Sequence, residues 1–158
     1  VSHSAPYSHF PDKQSLIAAI STEGFNQLYA ELDDAVLAYP KSPKKQLQQG
    51  VLAYLQFALN NTDTFKIMFS GVLEKEKKYP AFMEISHKTF QRVVDVVRAC
   101  QESGIIRNTS PEMMAVAAWG QVHGIVSLAL EGQISHTVLD GHKIQEVVSF
   151  AVEQMLLT

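Results

Sequence analysis

The chain has a single cysteine, Cys100, so it can form no internal disulfide and its fold cannot depend on covalent staples. Charge is sparse at 18% of residues, and no apolar run is read as approaching the roughly 18 residues of a membrane-crossing helix. No basic-then-apolar leader opens at Val1. A reducing cytoplasm and no membrane partner are the expectation. Basic residues are scarce where a DNA-binding surface would need them. Residues 1–40 hold Lys13 and no arginine against five acidic side chains, in a chain of net charge -3, which taken alone is the wrong footprint for nucleic acid. Catalytic patterns are missing too. No two of the six histidines share the i, i+4 spacing of a helical zinc site, and there is no phosphate loop, nucleophile elbow or pair of carboxylates. No enzyme, cofactor or metal is expected; His136 and His142 flank a loop that would hold a metal only weakly.

What is present has a period near 3.6, without alternating strand-like runs, so the fold class is all-α. At 158 residues one domain, or one domain plus a fragment, buries roughly two thirds of its unfolded surface. Asp12 caps a long helix over 13–38, whose stripe is Leu16, Ile17, Ile20, Leu28, Leu32, Ala35, Val36 and Tyr39, with Glu31, Asp33 and Asp34 off it. Pro40 and Pro43 break it, and this turn is the best internal boundary. A second helix over 43–61 turns Leu47, Val51, Leu55 and Leu59 inward, and a short helix follows over 64–73. The mixed charges of 74–78 read as a solvated connector. Pro80 begins a helix to Ser103 that is capped by Gly104 and points Cys100 inward for packing. Ser110-Pro111-Glu112 begins one that ends near Gly132, and Asp140 caps the last, to Leu157. The 115–134 helix is apolar over more than one face, and the last helix shows a similarly broad set. Helices of this kind are buried on both sides, one against their own core and one against a partner chain, which predicts a homodimer.

The first twenty residues add a more specific pattern. Tyr7, His9, Phe10 and Lys13, followed by Leu16, Ile17 and Ile20, resemble the end of the DNA-binding unit of the tetracycline-repressor (TetR) family of bacterial transcriptional regulators. The resemblance implies that Ser2, His3, Ser4, Ala5, Tyr7, His9 and Lys13 are DNA-binding, with Tyr7 and Lys13 on phosphates, which sets register without reading sequence. It also implies that an earlier, basic helix belongs before Val1. This chain alone is therefore expected to bind DNA weakly or not at all, operator DNA being a partner of the full-length protein only. Trp119, His123 and Gly124 match the residues that name the Trp-His-Gly subclass of TetR C-terminal domains, whose last two helices form the dimer interface.

On this resemblance residues 1–40 are the remnant of a helix-turn-helix plus a connecting helix, and 41–158 an effector-binding and dimerisation bundle. His123 lies one helical turn after Trp119, so both can line one wall. The soft, bulky side chains Tyr54, Phe57, Phe65, Met68, Phe69, Met83 and Phe90 are candidates to join them around a small apolar or aromatic effector. As residues alone, all nine fit a helical core equally well. A helical carrier or enzyme with the same cavity and no DNA role is the alternative from another class.

Overall fold

The computed structural model describes residues 10–73, 78–136 and 141–157. Six α-helices carry the fold: α1 (Lys13–Leu37), α2 (Pro43–Asn60), α3 (Thr62–Met68), α4 (Pro80–Glu102), α5 (Pro111–Leu130) and α6 (Ile144–Glu153). Among the described residues there is no strand, only an isolated antiparallel bridge between Ile106 and Leu156.

Local chemistry sets most boundaries. The Asp12 carboxylate accepts from the Ser15 amide at 2.7 Å, which satisfies one of the free donors at the start of α1. That bond holds the Asp12 carboxyl below its ordinary range. Prolines occupy the first position of α2, α4 and α5, where a missing N–H costs nothing. Gly104, at φ +67°, ends α4 in the left-handed conformation that favours glycine.

Three expectations need correction. The short helix runs from Thr62 to Met68, because the chain turns at Ser70 and Gly71, the latter at φ +74°. The last helix begins at Ile144, where the Glu146 carboxylate accepts from the Lys143 amide at 3.3 Å. Asp140 lies outside the described residues. At its other end the chain leaves the helix after Glu153, and the Leu157 amide donates to the Ile105 carbonyl at 2.8 Å. Finally, α5 is long and apolar enough, by length and composition, to cross a membrane, so an apolar run of that length is present after all.

α1 packs along α2, α3 and α4, while α6 bridges α2 and α5. Two groups of buried side chains result. One joins Ala18, Phe25, Leu28 and Leu32 of α1 to Tyr54, Phe57, Phe65, Phe82 and Val122. The other gathers Val36, Leu47, Val94, Val97, Cys100, Ile106 and Val152. α1 therefore shares its core with the bundle.

Candidate ligand-binding site

A cavity of about 600 Å³ lies between α1, α2, α4 and α5, with α3 and the turn after it as a further wall. Phe25, Leu28, Leu32 and Val36 of α1 line one side, and Ala118, Trp119, Val122 and His123 of α5 another. The size and apolar lining suit a small organic molecule.

Of the nine side chains expected around a ligand, Tyr54, Met68, Phe69, Met83, Phe90, Trp119 and His123 all line this space. Phe57 and Phe65 do not. Both are buried behind the wall, where Phe65 packs on Tyr54 at 5.5 Å between ring centroids. At the other expected site Lys13 is the exposed first residue of α1. Ser2, His3, Ser4, Ala5, Tyr7 and His9 lie outside the described residues.

The polar centre of the cavity is a three-residue chain. The indole Nε1–H of Trp119 donates to the Tyr54 hydroxyl oxygen at 3.1 Å, and that oxygen is 2.6 Å from Nδ1 of His123. Burial disfavours the Tyr54 phenolate and raises its pKa, with the Trp119 bond opposing in part. Burial also lowers the pKa of His123. Both groups are thus neutral at pH 7, and the simplest assignment has Tyr54 donating its one proton to Nδ1, leaving His123 protonated at Nε2. Aromatic rings hold the imidazole in place: Phe69 at 4.8 Å and Phe65 at 5.4 Å between centroids.

A second polar feature joins α1 to α4. Arg92 lines the cavity, and its Nη2 is 2.8 Å from Oδ1 of Asp33, both side chains being about a quarter exposed. The Nε of Arg92 is buried without a protein acceptor. It is the one permanently charged side chain among the described residues of the wall. The sequence pattern missed this pair, because the partners stand on separate helices at no diagnostic spacing. Phe25 was missed for another reason. It lies three residues before Leu28, and that spacing was enough to place it on the inner stripe. No group of three or more potential metal ligands is found among the described residues.

Comparisons with known proteins agree with this geometry. The family description "Tetracyclin repressor-like, C-terminal domain" matches residues 47–155. No curated protein matches the chain. Among solved structures, a protein of unknown function from Rhodococcus sp. RHA1 is 30% identical with a TM-score of 0.81, over 98% of this chain and 77% of that one. The TetR family transcriptional regulator PfmR from Thermus thermophilus is 18% identical with a TM-score of 0.75, over 99% of this chain and 81% of that one. A bacterial regulatory protein in the TetR family from Rhodococcus RHA1 is 21% identical with a TM-score of 0.69, over 98% and 78%. The last two share the fold with this chain.

Proposed function

This chain belongs to the tetracycline-repressor-like family, and from that premise we propose that it is the effector-binding and dimerising part of a cytoplasmic, ligand-responsive transcriptional repressor. The observation that carries the reading is the cavity of about 600 Å³, mainly apolar with a few polar groups and bordered by α1, the helix that leads back to the DNA-binding resemblance of residues 1–13. In this reading residues 1–40 are the end of the helix-turn-helix with its connecting helix, and 41–158 form the sensing and pairing domain. The resemblance at Trp119, His123 and Gly124 supports reading the domain as one of the Trp-His-Gly subclass.

Pairing through α5 and α6 is supported by the apolar side chains they leave outside the core. Met113 is 74% exposed, Val116 52%, Leu128 51% and Phe150 64%. A Cβ added at Gly120 or Gly124 would meet nothing, so a second helix can approach that side closely. A two-fold pair through this face would set the reading helices of a full-length dimer about 34 to 36 Å apart, one turn of DNA. An effector that binds one arrangement better than the other shifts the dimer away from that spacing, by no more than its differential affinity.

The test uses the full-length protein and a random duplex pool. Enrichment of a two-fold symmetric sequence, released by a small molecule that native mass spectrometry finds in the protein from its host, is the expected result. A full-length protein that enriches no sequence overturns the reading.

A further inference from the structure

Resting on the reading of the cavity as an effector site, we infer that its ligand is an amphiphile with an anionic head, and that this head competes with Asp33 for Arg92. The apolar wall selects a hydrocarbon or aromatic body but gives no reason to admit charge. Arg92 does. It is the wall's permanent charge among the described residues, and a guanidinium matches the planar, two-oxygen geometry of a carboxylate.

Its present bonding leaves room for that ligand. Asp33 takes Nη2, whereas the buried Nε has no protein acceptor. A buried donor left unpaired is costly and gains from any acceptor delivered to it. Of the other polar side chains that α4 brings to the wall, Thr89 Oγ1 donates to the Ile85 carbonyl at 2.7 Å and Ser86 Oγ to the Met83 carbonyl at 3.0 Å, while His87 has neither a guanidinium's permanent charge nor its two-pronged geometry. An incoming carboxylate thus finds its strongest partner at Arg92. Asp33 stands on α1 and Arg92 on α4, so a head group that draws the guanidinium away removes an ionic tie between these helices. The ligand then weakens the hold on the helix that leads to the DNA-binding end, which joins recognition to response in one exchange of partners.

The chain carries its own probe, since Trp119 is its one tryptophan and lines the cavity. Titration of Trp119 fluorescence with octanoate, 1-octanol and octylamine holds the body constant and varies the head. Octanoate should bind more tightly than octanol by roughly tenfold or more, the scale of a hydrogen bond to a charged group, and octylamine most weakly. Arg92→Gln should erase the preference of the site for octanoate over octanol. Asp33→Asn, which removes the competitor and keeps Arg92, should tighten octanoate by about threefold, the worth of a partly exposed ion pair. Equal affinities for the three heads, or a preference for octanoate that survives Arg92→Gln, would overturn the inference and leave the apolar effector site standing. Absence of binding by all three would remove both.

Discussion

Tyr54 occupies a position where one oxygen serves two neighbours that have no other polar partner shown. Tyr54→Phe leaves the Trp119 N–H and the His123 nitrogen unpaired in a half-buried setting. The expected loss is about 1–3 kcal/mol of unfolding free energy, read by chemical denaturation, together with a shift in Trp119 emission. His123 gives this residue scale a pH dependence. Its folded pKa is lowered from 6.5 by burial, so the unfolded chain binds more protons between the two values. The stability it contributes is therefore fully present above the unfolded pKa and is lost as pH falls through the lower folded one. Denaturation midpoints should decline from about pH 7.5 to about pH 5, and His123→Asn should reduce that decline; an identical slope in the variant would remove His123 as its source. Cys100 is inert by the same physics. Its thiol is fully buried, donates to the Pro43 carbonyl at 3.3 Å and is pushed up to about 11 by burial. Thiol reagents should label it at the rate of global unfolding, measured by mass spectrometry over time.

At the scale of elements, α1 passes close to α3 at Gly24. A Cβ there would collide with Met68 Sδ and come within 2.9 Å of Thr64 Cγ2. Gly24→Val should cost about 1–3 kcal/mol through overpacking, despite removing a glycine from a helix interior; a thermal melt at or above the parent value would contradict this. The elements are legible where the residues themselves enforce a boundary: Pro43, Pro80 and Pro111 at helix starts, Gly104 at an end. They are less legible where tertiary contacts decide. The apolar pattern places Leu59 on the inner stripe of α2, but it is 42% exposed, because Phe57 and Ala58 hold the core and the next residue is rotated away from them. Ser21, Thr89 and Gln101 are buried although polar. Gln101 earns its place by donating to the Arg107 and Thr109 carbonyls, both at 3.1 Å, across the α4–α5 turn. Of the candidate site, the aromatic wall on α2, α3 and α5 is readable from side-chain type. The Asp33–Arg92 pair is not, since its partners lie on α1 and α4, far apart in the chain, and nothing local announces it.

For the whole molecule, the prediction concerns assembly. Val116→Glu places a charge on the outward side of α5, where its exposure leaves the chain's own core intact. Light scattering at micromolar concentration should give twice the chain mass for the parent and one chain mass for the variant, with helicity by circular dichroism unchanged. A parent that is monomeric, or a variant that stays paired, would exclude this face as the interface. The close contact at Gly24 has a mechanical consequence on the same scale. It divides α1 into a segment that borders the cavity, Phe25 to Val36, and one that reaches back to Lys13. With 1.5 Å of rise per residue, Leu32 is about 12 Å beyond this fulcrum and Lys13 about 16 Å before it. Were α1 to pivot at Gly24 as a rigid rod, a push outward at Leu32 would draw Lys13 inward by roughly 1.4 times the distance.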